Sequence, residues 1–161
     1  MNLYLRLLLV LIRSFFKKNI TKEDMTNEIT IMVLPNDLDF NFHMTNSRYF
    51  AVSDLASIDF FLRSKLASVM LKKKWQPVLY SHNLTFKKSL KVFQLCKIKM
   101  KVSHWDDKYF YNQFEFCRNG RTIAFGQSKA VIRSKQGVIK PVDVMAAIEE
   151  HISKKDALAA D

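Results

Sequence analysis

A change of hydrophobic period near the middle of the chain constrains the fold more than any other feature. Between Thr45 and Pro77 there is no glycine or proline, and apolar side chains recur at steps of three and four residues. The recurring positions are Leu55, Ile58, Phe61, Leu62 and Leu66. This spacing predicts a long helix with one apolar face, with Thr45 or Asn46 as its N-cap. Because the helix is apolar over much of its length, we expect it to be buried.

After this helix the pattern changes to strands. The segment 95–102 reads LCKIKMKV, and Lys97, Lys99 and Lys101 alternate with apolar side chains. This alternation predicts a half-buried antiparallel strand. Further strands are predicted at 28–34, 78–86, 109–116 and 121–133. The Asn119-Gly120 pair predicts a hairpin turn between the last two.

The order of these elements predicts an α+β domain in which an antiparallel sheet wraps around the long central helix. The length of 161 residues and the 48% hydrophobic content suit one core. We place the domain at 24–153, with a short helix after Pro141. An amphipathic helix in 1–23 precedes it, and we expect 154–161 to be a frayed tail.

The N-terminal helix combines apolar and basic residues. Its longest uncharged run, 7–12, is too short to span a membrane, and Arg13 interrupts any signal-peptide pattern. Arg6, Arg13 and Lys17 share one face at about 100° per residue. Such a helix can lie in a membrane interface through residues 3–18 with its cations at the headgroups. It can equally dock on its own domain or on a partner subunit.

The net charge of the chain and the motifs that it lacks limit the classes of function it can have. A net charge of +11 and a pI near 9.7 favour anionic partners. Three glycines are too few for a dinucleotide-binding loop or a P-loop, and the four histidines lack metal-ligand spacing. We therefore expect no metal and no redox cofactor. Cys96 and Cys117 are expected to be two buried thiols. No RNA-reading signature occurs, so we expect no nucleic-acid partner, although charge-driven binding stays a third alternative.

A polar cluster lies directly before the long helix. Residues 33–50 read VLPNDLDFNFHMTNSRYF, followed by Asp54-Leu-Ala. This segment resembles the hotdog-fold acyl-CoA thioesterases of the 4-hydroxybenzoyl-CoA thioesterase superfamily. It is closest to the branch of thioesterase superfamily member six, which carries D-x-x-x-H-M-N-N-x-x-Y before a buried helix. The stretch 104–111, HWDDKYFY, also looks like this branch. The resemblance covers roughly 28–145 and implies a hotdog fold and a site at the interface of a homodimer or tetramer.

By this resemblance Asp39 is the base or nucleophile, and His43 and Asn46 support it. Thioester hydrolysis needs a group that attacks the carbonyl or activates water, and donors for the developing oxyanion. Asp39 is close in sequence to Phe40 and Phe42, and desolvation there would make it a stronger base. The unpaired amides that begin the long helix are the expected oxyanion donors.

Five further residues are predicted to bind substrate. Phe42 stands where the family usually has glycine, and Thr45 replaces the first asparagine of the family pattern; either change could reshape the site. The predicted substrate-binding residues are Phe42, Thr45, Tyr49, Lys87 and Lys88, the lysines for the phosphates of coenzyme A. Structural roles remain open for Asn46 as a cap and for Tyr49 as a core residue. We expect Asp37 to lie in an exposed loop.

The sequence thus predicts an enzyme that hydrolyses acyl-CoA or acyl-carrier thioesters. We expect it in the cytoplasm, with possible contact to the inner face of a membrane. The alternative is a non-catalytic hotdog protein that binds acyl chains or acyl carriers at a membrane surface.

Overall fold

The computed structural model describes residues 2–160, with side chains described except at 2, 156 and 158–160. The helices are α1 (Asn2–Phe16), α2 (Asn46–Arg63), α3 (Leu66–Lys73) and α4 (Pro141–Ala160), with a 3₁₀ turn at Pro35–Asp37. The strands are β1 (Thr26–Met32), β2 (Gln76–Phe86), β3 (Leu95–Trp105), β4 (Phe110–Arg118), β5 (Arg121–Ser134) and β6 (Gly137–Ile139).

Six strands of the described chain form one antiparallel sheet that curls around α2. Their order is β1-β3-β4-β5-β2, and β6 pairs with β5. Along β3 the side chains alternate between buried and exposed as predicted, so that Lys97, Lys99 and Lys101 face outward. The inner face of the sheet packs on α2, which confirms the predicted sheet wrapped around a central helix.

The buried face of α2 is rotated relative to the predicted apolar stripe. Its most buried large side chains are Tyr49, Val52, Leu55 and Phe60, each at most 3% exposed. The predicted Ile58, Phe61 and Leu62 are only partly covered. Three- and four-residue spacing identifies a helix, but the neighbouring elements decide which flank of its stripe is most deeply covered.

The predicted helix is in fact two. α2 ends at Arg63, and Lys65 adopts a left-handed conformation with φ of 66° before α3 begins. Leu66, predicted on the long helix, is a buried residue of α3. A lysine in this conformation has no sequence signature, because the left-handed region is normally marked by glycine or asparagine.

The two ends of the chain differ from the domain core. α1 packs against α2, so the docking alternative for the N-terminal helix is confirmed. The backbone of residues 154–160 continues α4, and fraying of this tail in solution stays a prediction.

Cys96 and Cys117 are both free, and Cys117 is only partly buried.

Candidate functional site

The loop 37–45 carries the predicted catalytic aspartate and closes on itself. Asp39 Oδ1 accepts hydrogen bonds from the amides of Asn41 (2.9 Å) and His43 (3.2 Å). The Asp39 amide donates to the His43 carbonyl at 2.8 Å, and the Phe42 amide donates to the Asp39 carbonyl at 3.0 Å. Asp39 is solvent-exposed, and within residues 2–160 its Oδ2 accepts no hydrogen bond. This oxygen is therefore available to a substrate or a water molecule.

Phe42 keeps the backbone conformation that a glycine would have at this position. Its φ is 57°, in the left-handed region that favours glycine. A non-glycine residue there costs about 1–2 kcal/mol. Its ring is 77% exposed, so it does not narrow a pocket within the single chain. Replacing glycine by Phe42 thus preserves the turn at a cost in strain.

The predicted desolvation of Asp39 is wrong for the isolated chain. The Phe40 side chain is fully exposed, and Phe42 also points to solvent. Asp39 is itself exposed, so neither ring keeps water away from it. Any desolvation of Asp39 must come from substrate or from a second subunit.

Asp37 is buried, which corrects its expected place in an exposed loop. It is 1% exposed, and both of its carboxylate oxygens bind Arg6, at 3.1 and 2.6 Å. Oδ2 also accepts the Leu34 amide at 2.8 Å, and Arg48 Nε lies 3.6 Å from Oδ1. The Asp37 carbonyl accepts the Thr45 amide at 2.9 Å. Asp37 therefore ties the loop to α1 and to the start of α2.

A cleft of about 150 Å³ opens at the N-terminus of α2. Its lining residues are Met44, Asn46, Tyr49, Phe86, Lys87, Lys88 and Ser89. Thr45 is the N-cap, but its side chain makes no capping hydrogen bond. The amides of Asn46 and Ser47 donate to no acceptor in the part of the chain that the structure describes. Asn46 thus brings one unpaired donor and the positive end of the helix dipole to this cleft, and Ser47 supplies a second unpaired donor next to it in the chain.

Tyr49 forms the floor of the cleft as a core residue. It is 2% exposed and makes edge contacts with Phe86 and Phe116, at centroid distances of 5.0 and 5.2 Å. Burial raises the pKa of its phenol to about 12. Tyr49 therefore stays protonated and shapes the cleft, as the structural alternative for this residue predicts.

The two predicted phosphate-binding lysines differ in direction. Lys87 Nζ lies 4.9 Å from the centroid of the Phe125 ring, so its ammonium group turns toward the outer face of the sheet. Lys88 is exposed at the mouth of the cleft. Both residues line the cleft, but only Lys88 has an ammonium group that is not engaged by an aromatic ring in the described chain.

The structure thus brings Asn46, Tyr49, Lys87 and Lys88 together in one cleft. Asp39, Phe42, His43 and Thr45 lie on the adjacent loop and do not line it. Sequence reasoning missed Arg6, Asp37 and Arg48, which hold that loop in place. The sequence signal that could have identified them is the presence of charged residues among apolar neighbours, because buried charges are almost always paired.

Comparison with known proteins identifies the family. The profile described as the Thioesterase-like superfamily matches residues 33–152. Protein THEM6 of Xenopus laevis is 34% identical over 122 residues, which are 76% of this chain and 56% of that protein. The probable thioesterase YBR096W of Saccharomyces cerevisiae is 29% identical over 115 residues, 69% of this chain and 50% of that protein. The chain thus spans about half the length of these two relatives.

A solved structure shows the same fold. The BH1999 gentisyl-coenzyme A thioesterase superposes with a TM-score of 0.67 at 23% identity, covering 76% of this chain and 99% of that one. This similarity confirms the predicted hotdog fold. Because the family profile covers most of the domain, the chain belongs to the Thioesterase-like superfamily.

Proposed function

We propose that this chain hydrolyses acyl-CoA thioesters at the N-terminus of α2. The observation that carries the proposal is the pair of unpaired amides, Asn46 and Ser47, at the N-terminus of α2, where Asn46 lines a cleft and the preceding loop carries the exposed carboxylate of Asp39. The family and the names of its thioesterase members support the same chemistry. No cofactor is needed, because hydrolysis requires only a nucleophile, proton transfer and oxyanion donors.

In this mechanism the thioester carbonyl oxygen accepts hydrogen bonds from the Asn46 and Ser47 amides. These donors stabilise the negative charge that develops as the carbonyl carbon becomes tetrahedral. Asp39 Oδ2 either attacks that carbon or takes a proton from the attacking water. The carbon–sulfur bond then breaks, and the thiolate of coenzyme A leaves and is protonated. In the covalent route a water molecule afterwards hydrolyses the mixed anhydride with Asp39.

His43 and Asn46 support Asp39 in this proposal. The His43 amide and carbonyl both bind Asp39, so His43 holds the position of the nucleophilic group. The Asn46 side chain lines the cleft, where it can contact the acyl group or an attacking water. Lys88, and Lys87 if it leaves the Phe125 ring, attract the phosphates of coenzyme A.

The active form is proposed to be a homodimer, or a tetramer built from it, that pairs through β2. This edge strand has 11 residues, and Val78, Leu79 and Tyr80 on it are 39%, 54% and 67% exposed. A long exposed apolar edge favours pairing with another strand. Sedimentation of the wild type against Leu79→Lys tests this, and an unchanged association state for the variant would exclude pairing at this edge.

One substitution removes a proposed oxyanion donor without removing the helix. Asn46 is the first residue of α2, where proline is well tolerated, and Thr45 has the extended conformation (ψ of 144°) that precedes proline easily. Asn46→Pro deletes the amide hydrogen, whereas the matched control Asn46→Ala keeps it. We expect kcat for thiol release from a panel of acyl-CoAs to fall about 10²–10³-fold in Asn46→Pro. Equal kcat in the two variants would contradict the assignment.

A second candidate function is the non-catalytic binding of acyl chains or acyl carriers at a membrane surface. An apolar cavity of about 100 Å³ favours it, between the C-terminal end of α2, the sheet and α4. Its walls include Phe60, Met100, Phe110, Ile132 and Ile148. Retention of a fatty acid without thiol release from any acyl-CoA would support this function over hydrolysis. For either function we propose a cytoplasmic location.

A further inference from the structure

The N-terminal helix packs with its polar face inward. Arg6 and Ser14, on the buried side of α1, are both 8% exposed. Arg6 binds Asp37, and Ser14 Oγ donates to Asp59 Oδ1 at 2.7 Å. Lys17 Nζ lies 3.6 Å from the same Asp59 oxygen. The prediction that the cations of this helix face headgroups is therefore wrong for Arg6 and Lys17.

The opposite face of α1 exposes a continuous apolar surface. Its exposed fractions are Tyr4 78%, Leu5 58%, Leu8 51%, Leu9 44%, Ile12 49%, Phe15 82% and Phe16 87%. A groove of about 460 Å³ between α1 and β1 extends this surface, since Leu5, Leu9, Met32 and Leu95 line it. We call these seven exposed side chains of α1 the outer face. A patch of this kind normally marks an interaction site.

Two buried carboxylates hold the outer face toward solvent. Asp37 and Asp59 are each 1% exposed; α1 supplies Arg6 to the first and Ser14 to the second, and Lys17, directly after α1, also approaches Asp59. If α1 rolled its apolar face onto the domain, both carboxylates would lose these partners inside the protein. Removing one partner of a buried charge is strongly unfavourable. Asp59 would keep Asn27 at 2.8 Å and Arg63 at 3.2 Å, so the loss of Arg6 from Asp37 is the main cost that keeps the outer face turned away from the domain.

We propose that the outer face seats on an anionic lipid bilayer, with α1 parallel to the membrane plane. Tyr4 near one end is an aromatic side chain of the kind enriched at membrane interfaces, and Phe15 and Phe16 at the other end suit the apolar face of an interfacial helix. Arg13 and Lys18 are exposed beside this face, and neither forms an ion pair among the described residues. They are placed to contact lipid phosphates, and α1 contains no acidic residue that would repel them.

The charge pattern favours a bilayer over a second copy of the chain. Packing two outer faces against each other would bring the Arg13 and Lys18 side chains of both copies together, in a protein of net charge +11. An anionic surface instead attracts them. No helix within residues 2–160 combines the length and apolar character that crossing a bilayer needs.

Vesicle flotation of the full chain tests the proposal independently of hydrolysis. The probes are phosphatidylcholine vesicles with and without phosphatidylserine. The test variant is Phe15→Ser/Phe16→Ser, which changes two exposed rings and leaves the inward contacts of α1 intact. The matched control is Leu71→Ser/Val142→Ser, which removes exposed apolar side chains on α3 and α4. A second variant, Arg13→Gln/Lys18→Gln, tests the cationic contribution.

We expect the wild type and the Leu71/Val142 control to float with the anionic vesicles. The Phe15/Phe16 variant should partition at least about tenfold less, because it loses two large apolar side chains from the contact. The Arg13/Lys18 variant should lose binding mainly to phosphatidylserine vesicles. Absent flotation of the wild type, or equal flotation of the Phe15/Phe16 variant, would overturn the proposal. A lower association state of that variant in sedimentation without lipid would assign the outer face to a second copy instead.

Discussion

Replacing Arg6 by methionine should destabilise the whole domain, although Arg6 lies in the N-terminal helix. The variant leaves Asp37 1% exposed and without its bidentate partner. Breaking a buried pair from one side costs about 3–5 kcal/mol. The Leu34 amide at 2.8 Å and Arg48 at 3.6 Å remain, so we expect the lower end, about 3 kcal/mol.

Urea denaturation and thermal melting measure this loss. For a chain of this length, about 3 kcal/mol corresponds to a decrease in Tm of about 6–12 °C. Arg13→Met is the matched control, because Arg13 is exposed on the same helix and forms no ion pair in the described chain. Its free energy of unfolding should stay within about 0.5 kcal/mol of wild type.

The same variant should also affect the proposed activity. Asp37 accepts the Thr45 amide and so positions the loop that carries Asp39. Below the melting transition, Arg6→Met should lower kcat more than it raises KM, because the loop acts on the chemical step. If Arg6→Met and Arg13→Met have the same unfolding free energy, the buried Arg6–Asp37 pair does not stabilise the domain.

Three further substitutions test other features of the fold. Phe42→Gly relieves the strain of a φ of 57° but adds chain entropy to the unfolded state, so the free energy of unfolding should change by less than about 1 kcal/mol. A loss of more than about 2 kcal/mol in urea denaturation would show that the Phe42 ring makes stabilising contacts and would contradict this expectation. Gly126→Ala should cost about 2 kcal/mol or more, because the added Cβ would lie 1.9 Å from the Asn83 carbonyl oxygen and force β5 away from β2; a wild-type Tm would refute this close approach. His82 lies between Phe50 and Phe114, its buried Nε2 has no hydrogen-bond partner among the described residues, and burial lowers its pKa below the ordinary 6.5. The unfolded chain therefore binds the proton more readily, so stability should fall as pH drops through about 6.5. His82→Leu should lose less stability than wild type between about pH 7 and 5.5, and parallel urea titrations of the two proteins would contradict this assignment.

The strands and the central helix could be predicted from local sequence patterns, whereas the contacts around the candidate site could not. The two-residue alternation of side chains determines which side of β3 faces the core, and this inference needs no knowledge of residues distant in sequence. The pairing of Arg6 with Asp37 joins residues 31 positions apart, and no local periodicity reports it. For the same reason the expected exposure of Asp37 is wrong, although Asp37 does lie in the connection between β1 and α2.

The orientation of α1 shows a second limit of prediction from the sequence. Its amphipathic pattern correctly predicts two unlike faces, but the usual rule assigns the apolar face to the core. Here the domain offers buried carboxylates at Asp37 and Asp59, so the polar face turns inward. At Phe42 the sequence shows only that phenylalanine replaces the glycine of the family pattern, and the backbone shows that it keeps a glycine conformation.

The most direct test of the central claim is kcat for acyl-CoA hydrolysis in Asp39→Asn at saturating substrate. Asp107→Asn is the matched control, since Asp107 is an exposed acid of the β3–β4 turn, away from the cleft. If Asp39 acts as the base or nucleophile, kcat should fall about 10²–10⁴-fold in Asp39→Asn and remain at the wild-type value in Asp107→Asn. Equal kcat values for the two variants would contradict a hydrolytic site built from Asp39 and the N-terminus of α2.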